Sequence, residues 1–268
     1  MNEFELGPAI LFCPADRPER YAKAADRADA VILDLEDAVL PADRAEARIA
    51  LAATPLDPSR TIVRVNAAGS ADHAADLRAL AATEYRFIMI AKAEHPEDLV
   101  GLADYRVIAL CETARGVVNA HLIAEHPSVV ALMWGAEDLV ASLGGRSSRR
   151  ADGSYRDVAA YARASVLLAA GAHRRAAIDA VYLDIPDVEG LRAEAADAAA
   201  SGFAATACIH PSQVAVIRNA FAPTAAELEF ATAVLEAAAS ERGVFTFRGG
   251  MVDEPVLAHA RRTLSRSR

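Results

Sequence analysis

Apolar residues in this chain come in short unbroken runs, and each run is followed by a stretch of helical spacing. The runs Ala9–Cys13, Ala30–Leu35, Thr61–Val65, Phe87–Ile90, Val107–Cys111, Val129–Trp134, Ile178–Leu183 and Thr206–Ile209 read as eight strands. Continuous apolar strands, unlike alternating ones, are buried on both faces and belong to a parallel sheet. Helical segments are expected at Arg17–Ala28, Ala42–Ala53, Asp72–Ala82 and Pro96–Ala103, between the fifth and sixth strands, and at Val158–Ala170, Val188–Ala199 and Ser212–Ala220. Eight βα units in about 250 residues predict a (β/α)8 barrel, the TIM barrel, over residues 1–221. A doubly wound open sheet is the alternative, but no Gly-rich GxGxxG follows the first strand. Residues 222–268 read differently. Thr224 caps a predicted helix over Ala225–Glu241, and a Gly-flanked strand and turn, Gly243–Gly250, leads through Met251–Pro255 into a last helix from Val256. This tail reads either as a lid arm or as an extension packed on its own barrel.

A barrel sets its chemistry at the carboxyl ends of its strands, and those ends are polar here. They carry Asp16 and Arg17, then Asp34, Glu36 and Asp37, then Arg64 and Asn66, then Lys92 and Glu94. Glu112 directly follows the fifth strand, Glu137 and Asp138 follow the sixth, Asp184 and Asp187 the seventh, and His210 the eighth. Glu112 and the Glu137–Asp138 pair thus stand at neighbouring strand ends, with no His or Cys cluster beside them. Such acids suit a hard cation such as Mg2+.

Arg64 interrupts the apolar run TIVRV, so its charge needs a partner. It is either an internal salt bridge to Asp34 or Glu36, or a fork for a substrate carboxylate or enolate oxygen. Lys92 is expected to serve as a structural partner of Glu36, Asp37 or Glu94. His210, before Pro211, reads as a helix-start residue rather than a base. The small, basic loop Gly144–Arg150 either closes over phosphates or is a surface loop, and it does not match a P-loop. Arg17, Arg20 and Lys23 form a second basic patch.

Composition narrows the partners. The 268 residues are 53% hydrophobic and 24% charged, an ordinary globular balance. No apolar run is long enough to span a membrane, and the N-terminus lacks a signal-peptide pattern, so a cytoplasmic protein is expected. A net charge of −9 argues against nucleic acid as a partner but allows an anionic small molecule in a locally basic cleft. Cys13, Cys111 and Cys208 are far apart and form no CxxC, so they are expected to be free, buried thiols.

In this order, VILDLEDAV, TIVRVN, AKAE, ALCETARGV, MWGAEDL, ACIHPSQV and GGMVDEPV resemble the citrate lyase β-subunit / malyl-CoA lyase family of the HpcH/HpaI aldolase superfamily. The resemblance covers nearly the whole chain. It implies a (β/α)8 barrel, a homotrimer, bound Mg2+ and a coenzyme A thioester as substrate. It places the metal on Glu112 and Asp138 and the substrate-binding arginine on Arg64. It also implies a catalytic aspartate, Asp253, on a lid that reaches across the subunit interface.

Glu36 and Asp37 join Arg64 and Asp253 as catalytic candidates, and Gly135, Ala136 and Glu137 join Arg64 and Glu112 as substrate-binding ones. The activity implied is Claisen-type cleavage or formation of citramalyl-, malyl- or citryl-CoA-like 3-hydroxyacyl thioesters, giving acetyl-CoA and a 2-oxo acid. A thioesterase or malate-synthase-like variant of that chemistry is included. A CoA-independent Mg2+ aldolase and a subunit active only inside a citrate lyase complex are the alternatives. The chain departs from many members in GPAILFCPADRP, where they carry Arg–Ser before the first strand, and in Gly249–Gly250, where they often carry Asp–Gly.

Overall fold

The computed structural model describes residues 4–241 and 243–265. The chain folds into two compact units, the first ending at Ala220 and the second beginning at Phe221. In the first, β1 (Ala9–Pro14), β2 (Ala30–Asp34), β3 (Thr61–Val65), β4 (Phe87–Ile90), β5 (Arg106–Cys111), β6 (Val129–Trp134), β7 (Ala176–Asp179) and β8 (Ala205–Cys208) pair in parallel, each with the next. β1 also pairs with β8, from Ala9 opposite Thr206 to Leu11 opposite Cys208, and closes the ring. The expected TIM barrel is what the chain forms.

Inside the ring, Ile10, Ile32, Ile62, Met89, Ile108 and Leu110 belong to one buried cluster. Branched side chains from successive strands fill a barrel interior of this size completely, so it is a core and not a pore. The outer layer contains α1 (Tyr21–Arg27), α2 (Arg44–Ala53), α3 (His73–Ala81), α4 (Ala114–Glu125), α5 (Ala136–Ser142), α6 (Asp157–Ala172), α7 (Val188–Ser201) and α8 (Pro211–Phe221). Thr113 caps α4 by accepting from Gly116 N, and Asp187 caps α7 by accepting from Gly190 N. After β4 only a 3-10 turn forms, Pro96–Leu99, where a short helix to Ala103 was expected. Among the described residues no helix is long and apolar enough to cross a membrane. The three cysteines are free and buried.

The largest departure from the expected elements is at β7. The apolar run Ile178–Leu183 reads as the strand, but the strand is Ala176–Asp179, and Asp184 and Asp187 lie in the connection beyond it. The cause is Asp179. Its Oδ1 accepts the N–H of Ala180 at 3.0 Å, so the next backbone donor leaves the ladder. The same carboxylate accepts Trp134 Nε1 at 2.6 Å and Arg163 Nη2 at 2.8 Å, which accounts for a charge only 1% exposed.

The second unit holds α9 (Ala225–Ala238), the antiparallel pair β9 (Phe245–Phe247) and β10 (Gly250–Val252), and α10 (Glu254–Ser265). Ala231, Val234, Val252 and Ala260 form its core. Thr224 and Glu227 make a reciprocal capping box at the start of α9. Arg248 and Gly249, both at positive φ (48° and 81°), turn the hairpin, as a two-residue connection with primed geometry requires. Asp253 immediately precedes α10, and its Oδ1 accepts Val256 N at 3.3 Å.

Candidate active site

At the carboxyl end of β2, Asp34 is fully buried and its register partner across the ladder is Arg64. Arg64 Nε and Nη2 donate to the two Asp34 oxygens at 2.6 and 2.5 Å, and Arg64 Nη1 lies 3.1 Å from Glu36 Oε2. Burial works against this charge, but the Asp34 and Glu36 carboxylates outweigh it and hold the proton more tightly than usual. Its flat face lies over the Phe12 ring, 5.0 Å from the centroid. The internal salt bridge to Asp34 and Glu36 is what the geometry shows. Arg64 also lines an open cavity of about 290 Å3 that Phe12, Glu112, Trp134, Asp138 and Ile209 border as well.

Glu112 follows β5 and is 2% exposed. Its Oε1 accepts the backbone N–H of Lys92 at 3.1 Å. Burial first, and the Asp138 charge second, push its carboxyl up to about 8, against the pull of Arg64 and Lys92. Cys111 pairs with Trp134 in the β5–β6 ladder, so the residues after each strand face one another. Gly135 stands in that gap: a Cβ there would lie 2.8 Å from Glu112 Oε2 and 2.9 Å from Glu112 Cβ, so the close approach requires glycine. Ala136 is buried. Glu137 is exposed and accepts from Ser148 Oγ at 2.6 Å. Asp138 is half-buried, and both acids sit in the first turn of α5, where a helix N-terminus favours negative charge. That helix is not apparent in the sequence pattern, because AEDLVAS is short and follows the strand directly.

Lys92 lies among these acids. Its ammonium touches Glu36 Oε1 and stands 3.2 Å from Asp37 Oδ2, 3.5 Å from Asp138 Oδ1 and 3.9 Å from Glu112 Oε1. Burial raises the Glu36 carboxyl despite Arg64 and Lys92; for Asp37, burial opposes but Lys92 prevails and lowers it. Of the expected Lys92 partners, Glu94 turns elsewhere and accepts from Thr113 Oγ1 at 2.8 Å.

The other candidates are placed as follows. His210 bonds Ser212 and sits at the start of α8. In the basic loop, Arg149 is held by Glu194 at 2.7 Å and Arg150 by Asp157 at 2.6 Å, so these two charges already have partners. Asp253 belongs to the second unit. Trp134, the only tryptophan in the chain, carries no signal in the sequence beyond its place at a strand end. It borders the cavity, its Nε1 is fixed by Asp179, and Tyr155 packs edge-on against it at 5.1 Å.

A hard divalent cation fits Glu112 and Asp138. They are oxygen donors that repel one another, one is buried in a state that resists its own charge, and the nearby lysine shows that the place demands a positive charge. Among the described residues no group of three or more His, Cys, Asp and Glu is arranged to hold a metal. Two carboxylates with the remaining positions left to water and substrate is how Mg2+ is commonly held.

The sequence pattern of the HpcH/HpaI aldolase/citrate lyase family matches residues 9–211. A citrate lyase subunit beta-like protein of Mycobacterium tuberculosis is 59% identical over 267 residues, covering 100% of this chain and 98% of that protein. The mitochondrial citramalyl-CoA lyase of Homo sapiens is 30% identical (96% and 84% covered), and the (3S)-malyl-CoA thioesterase of Cereibacter sphaeroides 34% identical (97% and 94%). The crystal structure of CitE from M. tuberculosis in complex with magnesium, acetoacetate and coenzyme A superposes with a TM-score of 0.94 at 60% identity, covering 98% of each chain. With the family's pattern spanning all eight barrel strands and the residues Arg64, Glu112 and Asp138, and a relative 59% identical along the whole chain, this chain belongs to the HpcH/HpaI aldolase/citrate lyase family.

Proposed function

We propose that this chain is a Mg2+-dependent carbon–carbon lyase that cleaves or forms 3-hydroxyacyl-CoA thioesters of the citramalyl-, malyl- or citryl-CoA type. The products of cleavage are acetyl-CoA and a 2-oxo acid. The observation that carries this reading is the buried Glu112 beside Asp138, facing Arg64 across one cavity. The complex of the M. tuberculosis relative with magnesium, acetoacetate and coenzyme A supports it.

Glu112 and Asp138 would hold the ion, which supplies Lewis-acid polarisation of the oxo-acid oxygens. Arg64 has five N–H donors, more than Asp34 and Glu36 take up, and it lines the cavity, so it is placed to stabilise the negative charge that develops as the carbon–carbon bond breaks. Asp34, Glu36 and Asp37 act through Arg64 and Lys92 by holding these cations in place. Gly135 and Ala136 shape the wall beside Glu112. Burial of Arg64 and Glu112 keeps water from screening these charges. Asp253 serves as the acid/base that takes the substrate hydroxyl proton in cleavage and passes it to the enolate carbon to give the methyl of acetyl-CoA; in condensation the same two transfers run in reverse.

The protein works as a homotrimer whose lid completes a neighbour's site. Large exposed apolar side chains on α4 and α6 (Val118 at 80%, Tyr161 at 70% and Leu168 at 73%) support a surface covered by another copy.

The deciding experiment is turnover by the purified chain alone on a panel of CoA thioesters, with and without Mg2+, read by mass spectrometry. Acetyl-CoA plus an oxo acid supports the lyase. A free hydroxy acid plus CoA would shift the reading to a thioesterase. Cleavage of a hydroxy-oxo acid without CoA supports the simple aldolase, and no turnover without added subunits supports the complex-bound alternative.

Asp253→Ala is expected to abolish cleavage while oxo-acid binding persists, read by quenching of Trp134 fluorescence at the cavity wall. Mixing it with an Arg64→Met variant should restore part of the activity if Asp253 acts in trans. Full activity of Asp253→Ala would reduce this residue to the cap it forms on α10.

Metal affinity should depend on pH with a definite sign. A carboxyl raised to about 8 holds its proton at neutral pH, and the ion must displace it, so affinity rises with pH until Glu112 is ionised. Calorimetry should find Mg2+ bound several-fold or more weakly at about pH 6.5 than at about pH 8.5. A flat profile would rule out Glu112 as the proton-releasing ligand.

A further inference from the structure

The chain carries 28 Lys and Arg residues, and only Lys23 and Lys92 among them are lysines. One of the two occupies the middle of the acidic cluster. Its ammonium touches Glu36 and lies within 3.9 Å of Asp37, Glu112 and Asp138. Its backbone is held in the left-handed region, at φ 51°, which side-chain-bearing residues disfavour unless surrounding contacts compensate. That conformation delivers both donors of one residue to the acids, since its backbone N–H bonds Glu112 Oε1 at 3.1 Å. An arginine fork commits its face to one carboxylate, whereas a compact ammonium can be shared among several. The use of lysine here, in a chain that otherwise prefers arginine, fits that shared role.

We propose that Lys92 is the built-in counter-ion of the metal site. It holds Glu112 and Asp138 together while no metal is bound, and it competes with the divalent cation for them. The proposal rests on the assignment of Mg2+ to Glu112 and Asp138. Without the ammonium, the acids Glu36, Asp37 and Asp138, and Glu112 once it ionises, would share the cleft with less compensating charge. An ion held by Glu112 and Asp138 would lie close to the ammonium and be repelled by it. Removing the charge at position 92 therefore destabilises the metal-free protein and tightens metal binding. A lysine that merely braced the ligands would give the opposite sign, because its loss would loosen them.

The test uses the full chain as wild type, Lys92→Met, Lys92→Gln and Lys92→Arg, with calorimetric Mg2+ titrations and thermal melts. The two neutral variants are expected to bind Mg2+ at least about tenfold more tightly than wild type, because even in a water-like dielectric a monovalent and a divalent cation a few ångströms apart repel by that much. They should also melt lower without Mg2+ and gain more from adding it, while Lys92→Arg stays near wild type. A measurement on the wild type alone guards against misfolded variants. Acylation by an N-hydroxysuccinimide ester, mapped by peptide mass spectrometry, should speed up at Lys92 relative to exposed Lys23 when Mg2+ is added. Equal or weaker Mg2+ binding by the neutral variants overturns the proposal, as does labelling of Lys92 that Mg2+ leaves unchanged or slows. Equal Mg2+ binding by wild type and Glu112→Gln would instead overturn the metal assignment, and this proposal with it.

Discussion

Glu112→Gln is expected to remove Mg2+-dependent turnover, by about 10^3-fold or more, while leaving the protein at least as stable as wild type. The loss follows from deleting one of two anionic ligands and with it Lewis-acid stabilisation worth several kcal/mol, each ~1.4 kcal/mol being tenfold in rate. The stability follows from the burial of Glu112. A carboxyl 2% exposed, pushed up to about 8 by burial and by Asp138, gains little from ionising in the metal-free protein. Glutamine keeps the size, and its carbonyl still accepts the Lys92 N–H. Steady-state rates with and without Mg2+, beside melts in EDTA, check both halves. Near-wild-type turnover would sink the metal assignment, and a sharply lower melt would show that the carboxylate itself holds the strand ends together.

Asp34→Ala is expected to have the largest effect on stability. Asp34 is fully buried, bonds Arg64 through both oxygens, and accepts Glu36 N at 3.0 Å and Ala38 N at 3.1 Å. Removing it strands a guanidinium that is only 8% exposed, with Glu36 left as its paired carboxylate. Breaking a buried pair from one side costs about 3–5 kcal/mol, which in a barrel of this size lowers Tm by roughly 10 °C. The double variant Asp34→Ala/Arg64→Met should recover part of that loss, because the stranded charge goes too. Turnover should be lost in both. A single variant that melts within about 2 °C of wild type would mean that Glu36 alone suffices to hold Arg64.

The barrel was legible because each strand is a continuous apolar run, and a parallel sheet leaves little else for such runs to do. Seven of the eight strands fall close to the residues their hydropathy indicates. β7 did not, because Tyr182 and Leu183 extend the apolar run past the point where the Asp179 carboxylate takes the next N–H. A side chain that bonds its own backbone neighbour leaves no mark in hydropathy. The acids and Arg64 were legible as charges set at the ends of apolar strands, where burial demands partners. Lys92 was legible only as a pairing residue, because a left-handed backbone at a lysine has no sequence signature. Trp134 gave no signal until Asp179 was seen to fix its indole. The acid/base role proposed for Asp253 rests on resemblance and not on any pattern of its own, since an aspartate just before Glu254–Pro255 is equally the ordinary start of a helix.

Gly135 has a consequence of a different kind. Its missing side chain is what lets Glu112 and the start of α5 approach each other, so this position tolerates change no better than a reacting residue would. A side chain at 135 would push Glu112 out of its place beside the cavity, so a substitution there should disturb the site without removing any reacting group.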